Sequence, residues 1–139
     1  MNLNDARSED GLTIESSVAI EPQDMARYRA TAHRRATRRQ QVLEARRLAA
    51  WEVARRATAQ LKADYGVSRV VLFGSLSRDE PFTHHSDIDL AVWGLDERLY
   101  YRVVSRLLDL DPSISIDLLR VETLSDDLIH AIEATGIPL

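Results

Sequence analysis

The 139-residue sequence has no cysteine. That excludes disulfide staples and thiolate metal sites, and it fits a reducing compartment. Glycine and proline are scarce, five and four residues, and neither occurs between Met25 and Asp64. A stretch that long without a breaker leaves little room for loops. No apolar run approaches the roughly 18 residues of a membrane span. The opening "MNLNDARSEDGLTIESSVAIEPQD" lacks the basic-then-apolar order of a secretion signal, so the expected location is the cytoplasm, with no membrane partner. The overall charge of −4 conceals a split. Residues 1–64 carry twelve Lys/Arg against nine Asp/Glu and residues 65–139 six against thirteen, so the charge runs from +3 to −7.

What is present divides into three parts. Residues 1–21 are polar and are expected to form a flexible segment. Pro22 suits the first turn of a helix and Asp24 places negative charge near its start. Residues 22–64 then read as a basic helical extension of one or two long helices, rich in Ala, Arg, Gln and Leu. In its later half Leu43, Ala50, Val53, Ala54, Ala57 and Leu61 recur at helical spacing and predict packing on the domain that follows. Gly66 can cap the helix C-terminus. From there to residue 139 the pattern is "SRVVLF" and "DIDLAVW" as strands, "DERLYYRVVSRLLDL" as an amphipathic helix, "ISIDLLR" as a strand and "TLSDDLIHAIEAT" as a closing helix ended by Gly136. Alternating strands and helices predict an α/β (α+β) domain, a small mixed sheet with covering helices, over 65–139.

Strand alternation then places the acidic residues. Asp87 and Asp89 face one way while Ile88, Leu90 and Val92 face the other; in the third strand Asp117 opposes Ile114, Ile116 and Leu118. If the two strands are neighbours, three carboxylates converge. Alone, such a cluster is costly and tends to stay protonated; a hard divalent cation such as Mg²⁺ reverses the sign, taking one or two carboxylates together with substrate phosphates. Gly74 lets the backbone turn sharply and Ser75 adds a hydroxyl beside exposed amides, a concavity suited to anions. Arg78 is a fork-shaped cation within reach of phosphate oxygens.

The run "GSLSRDEPFTHHSDID" resembles the signature of the nucleotidyltransferase superfamily related to DNA polymerase β. In its short form it is similar to the minimal nucleotidyltransferases that act as antitoxins beside HEPN-domain ribonuclease toxins. The resemblance covers roughly Val67 to Leu139, and Asp79 stands after Arg78 where the family often has glycine. It implies a polymerase β-like fold and Mg²⁺-dependent transfer of AMP from ATP to a tyrosine hydroxyl of the partner toxin. Gly74 and Ser75, with Arg78, would hold the triphosphate; Asp87 and Asp89 would coordinate two Mg²⁺ ions; Asp117 would share the catalytic metal and help take the proton from the attacking hydroxyl. The HEPN toxin would form a hetero-oligomer with the chain.

Two other readings compete. One is a binding module that neutralises its partner by covering it; the other is an antibiotic nucleotidyltransferase, which generally carries an additional drug-binding domain. Mutually repelling carboxylates serve no purpose in a pure binder, which favours the enzyme. The basic stretch Ala26–Ala63, with eleven Lys/Arg against two Glu, suits an acidic protein partner or RNA. The lack of a second lobe to present an acceptor favours the protein partner. His84 and His85 read as exposed loop residues, Trp93 as core or interface, Arg120 as a surface residue, and one of Tyr100 and Tyr101 as packed.

Overall fold

The computed structural model describes residues 19–139, so most of the segment expected over 1–21 lies outside the described residues. Pro22 opens a single helix, α1 (Pro22–Tyr65), 44 residues long with Asp24 in its first turn. It ends where the sequence places a glycine: Gly66 adopts a positive φ of 68°, and the Val67 N–H donates to the Leu61 carbonyl at 3.2 Å, satisfying one carbonyl near the helix end. Two compact units divide between Arg39 and Gln40. In the first, the residues of α1 are exposed apart from Met25 and Thr31.

The second unit holds the rest of α1 and the mixed sheet. After α1 come β1 (Arg69–Phe73), β2 (Ile88–Trp93), α2 (Tyr100–Leu108), β3 (Ile116–Arg120), α3 (Asp126–Thr135) and β4 (Ile137–Pro138). The strands lie in the order β3-β2-β1-β4. Both pairings of β1 are antiparallel. β2 and β3 run parallel, a pairing that requires a crossover, which α2 supplies.

Each sheet face is closed by a different set of helices. Val70, Leu72, Leu90, Val92 and Leu118 pack with Ala50, Val53, Ala54, Ala57 and Leu61 of α1 and with Val103 and Leu107 of α2. Each fully buried Leu, Ile or Phe there contributes about 2 kcal/mol. The predicted packing of the later half of α1 is this contact for Ala50, Val53, Ala54, Ala57 and Leu61, while Leu43 is only partly buried and outside the cluster. The opposite face is smaller: Val71 and Ala91 meet Val121 and Ile132, the last from α3. Ser125 caps α3 by accepting from the Leu128 N–H at 3.3 Å. Gly136 ends α3, and a methyl group there would overlap Val71, so the chain can turn into β4 against the sheet only without a side chain. Tyr100 packs, its hydroxyl donating to the Leu118 carbonyl at 2.6 Å, while Tyr101 stays exposed.

Candidate active site

Phe73, the last residue of β1, pairs with Asp89 of β2, which brings the turn after β1 against the start of β2. At that turn Gly74 has φ 76° and ψ −158°, a region essentially reserved for glycine. A side chain at Gly74 would overlap the Asp89 carboxylate. The carboxylate therefore occupies the space that the glycine leaves free. Ser75–Ser77 follow as a 3₁₀ turn, and the Ser77 hydroxyl donates to the Gly74 carbonyl at 2.7 Å, locking the turn. Among the described residues no such contact engages the Ser75 hydroxyl.

The parallel register sets Asp89 beside Asp117. Both belong to the face that carries Ala91, but the apolar cluster of that face includes Ala91 and no aspartate, so the carboxylates lie beyond its edge. Asp117 and Asp87 are exposed and Asp89 is half-buried. Burial pushes the Asp89 carboxyl up to about 6, aided by the charges of Asp117 and then Asp87 and opposed by Arg78. Of the six residues singled out from sequence, Gly74, Asp89 and Asp117 are in immediate juxtaposition, Asp87 adds its field, and Ser75 begins the adjoining turn. Arg78 also acts on Asp89, but its guanidinium pairs with Glu80 at 3.1 Å on the exposed side of the loop.

This donor set is all oxygen, which suits Mg²⁺ and not a soft metal. Among the described residues no three acidic or histidine side chains form a ready-made cage. Asp117 and Asp87 act on Asp89 through their charge. Mg²⁺ does not call for a cage, because it retains waters and completes its octahedron with substrate phosphates. The residues therefore fit a cation that arrives with a nucleotide.

Residues 57–139 match the family model "Polymerase beta, Nucleotidyltransferase". The chain belongs to the polymerase β nucleotidyltransferase family. A search of curated proteins finds no match. Among solved structures, a mutant of the toxin–antitoxin pair MntA–HpeT is 24% identical with a TM-score of 0.52, covering 62% of this chain and 70% of that one. A toxin–antitoxin structure with AMP-PNP is 24% identical with a TM-score of 0.50, covering 60% and 69%. At that identity the likeness shows the nucleotidyltransferase fold.

Outside the span matched by the family model, two neighbouring arginines of α1 hold the loops of this nucleotidyltransferase. Arg47 donates to the carbonyls of Leu76, Arg78 and Glu80 at 3.1, 3.1 and 3.0 Å. Arg46 donates to the carbonyls of Thr83 and Ser113 at 3.0 and 2.9 Å, and its guanidinium lies 5.8 Å from the Phe82 ring centroid. One guanidinium thus holds the loop leaving the Gly74 turn, and the other ties the following loop to the approach to β3. Sequence reading missed both, because Arg46-Arg47 looks the same as the other arginine pairs of α1. The only usable signal is that Leu43 and Ala50, three residues to either side, mark the buried face beside them. Arg120, read as a surface residue, donates to the Leu95 carbonyl at 3.0 Å. His84 and His85 are exposed, as expected.

Proposed function

We propose that this nucleotidyltransferase is a Mg²⁺-dependent protein adenylyltransferase that moves AMP from ATP to a tyrosine hydroxyl of a HEPN-type ribonuclease toxin and so acts as its antitoxin. The observation that carries this reading is the contact of Gly74 with Asp89 beside Asp117: a turn built to approach phosphates, with its free space filled by a carboxylate that has a second carboxylate next to it. The fold likeness to MntA supports the choice of branch.

In this reading the amides of the Gly74–Ser75 turn and the Ser75 hydroxyl hold the triphosphate. Asp87 and Asp89 hold the cations, and Asp117, exposed at the outer edge, receives the proton of the attacking tyrosine. Bound there, Mg²⁺ supplies charge neutralisation at the α-phosphate and at the departing pyrophosphate.

The test is to incubate the full chain with Mg²⁺, α-labelled ATP and a HEPN-type ribonuclease co-expressed with it. The expected result is label on a tyrosine of that protein, lost in Asp87→Asn and Asp89→Asn while the complex still forms. Label that persists in those variants would refute the metal assignment. A stable complex that never takes label from any nucleotide would leave neutralisation by binding alone.

A further inference from the structure

Residues 22–39 hold six arginines and one acidic residue, Asp24, and they precede the span matched by the family model. The nucleotidyltransferase reading does not account for them. On a helix that advances 100° per residue, Arg27, Arg34, Arg35, Arg38 and Arg39 fall within an arc of about 140°. Only Arg29 falls outside it, while Ala26, Ala30, His33 and Thr37 occupy the opposite side. Read as a string the arginines look evenly spread, whereas the unbroken helix gathers them on one face. Arg27, Arg35 and Arg39 share one shallow groove with Tyr28, and Arg34, Arg35 and Arg38 share a second. None of the three ion pairs found among the described residues involves these arginines. Among the described residues Arg34 reaches only the Thr31 hydroxyl, at 3.2 Å.

The choice between a protein and a nucleic acid turns on what else the face offers. A protein interface draws its affinity from apolar and aromatic anchors packed in a dry centre, with charge kept to the rim. Between Met25 and Gln40 the only large apolar side chain is Tyr28, 72% exposed. An acidic protein would leave most of these guanidiniums at a wet rim, where each pair contributes little. A phosphate backbone needs no apolar centre, because neutralised phosphates release counterions. Arg27 to Arg39 spans about 18 Å of helix axis, enough to follow several phosphates. The exposed Tyr28 ring on the same face offers a stacking surface for an unpaired base, which RNA loops present and duplex DNA does not.

We propose that the arginine face of α1 over residues 27–39 binds looped RNA, the guanidiniums taking phosphates and Tyr28 stacking on an unpaired base. The site is distinct from the transfer reaction and is read without nucleotide. The experiment is fluorescence anisotropy of the full chain with a labelled RNA hairpin. Five phosphate contacts predict a log–log salt slope of about −3.5, hence about 100-fold weaker binding at 200 mM than at 50 mM salt. Replacing Arg34, Arg35, Arg38 and Arg39 with Gln should bring the slope to about −0.7, while the four Lys replacements should keep it near the original value. Tyr28→Ala should weaken binding at least about fivefold with the slope unchanged. Helix content by circular dichroism is expected to be the same in all variants. The proposal is overturned if the chain ignores the hairpin at 50 mM salt, if the Gln variant binds as tightly as the parent, or if duplex DNA of equal length binds as tightly as the RNA.

Discussion

The same helix carries two kinds of arginine. Arg46 and Arg47 each direct their N–H groups to backbone carbonyls of loops more than 25 residues away in sequence, so their charge is converted into fixed loop geometry. Arg27, Arg34, Arg35, Arg38 and Arg39 make no such contact among the described residues and keep their donors for something else. The comparison teaches that an arginine count says nothing about role. The number of carbonyls within reach separates a structural guanidinium from a recognition surface, since each charge-assisted hydrogen bond to a partly buried acceptor stabilises the fold and a solvated one does not.

The contrast predicts graded costs inside the second unit. The largest belongs to Gly74→Ala. The new methyl group must coexist with a positive φ of 76° and with the Asp89 carboxylate in the same space. The expected loss is about 3 kcal/mol in urea denaturation, together with loss of Mg²⁺-dependent nucleotide binding, because Asp89 has to swing aside. A variant that keeps both stability and nucleotide binding would show that the Gly74–Asp89 packing is incidental. Next comes Arg47→Ala, which removes three contacts to Leu76, Arg78 and Glu80. Its expected cost is about 2 kcal/mol, with faster hydrogen exchange confined to amides 76–80. Arg47→Lys should recover only part of this, since a single ammonium cannot span the three carbonyls that the fork reaches. Equal costs for Arg47→Ala and Arg38→Ala would erase the distinction between the two arginine groups.

The sequence disclosed those parts of the molecule that depend on short periods. Alternation over Ile88–Trp93 and Ile116–Arg120 gave the strands and the facing of Asp89 and Asp117, because one face of each strand must be apolar. The absence of glycine and proline predicted one or two long helices over 22–64, and the structure resolves them as one. Contacts between distant segments were not legible. No local pattern says that the Asp89 carboxylate fills the space above Gly74, or that Arg47 sits over the carbonyls of 76–80. Both follow from the register of β1 with β2 and from the way α1 packs on the sheet. A subtler miss is the start of the helix expected over 96–110. Asp96 accepts from the Arg98 N–H at 2.9 Å and fixes a 3₁₀ turn over Glu97–Leu99, so the α-helix begins only at Tyr100.

The smallest effect concerns a group that the second unit holds at a cost. Asp89 takes up its proton at about 6 where an ordinary aspartate does so near 3.8, because burial, Asp117 and Asp87 all disfavour its charge. Between those two values the folded chain binds more protons than the unfolded one, so stability falls as pH rises through the window and the loss persists above it. Since the carboxylate is half-exposed, solvent screening reduces the expected loss to about 1 kcal/mol. Urea denaturation at pH 4.5 and 7.5 should show this decline in the parent and a flatter profile in Asp89→Asn, which is expected to be the more stable of the two at pH 7.5. Mg²⁺ with ATP should restore the parent's stability at pH 7.5 and leave Asp89→Asn unmoved, since only the ionised carboxylate gains from a cation. If both proteins respond to Mg²⁺ and ATP alike, Asp89 is not a metal ligand, and its raised proton affinity reflects burial and like charge alone.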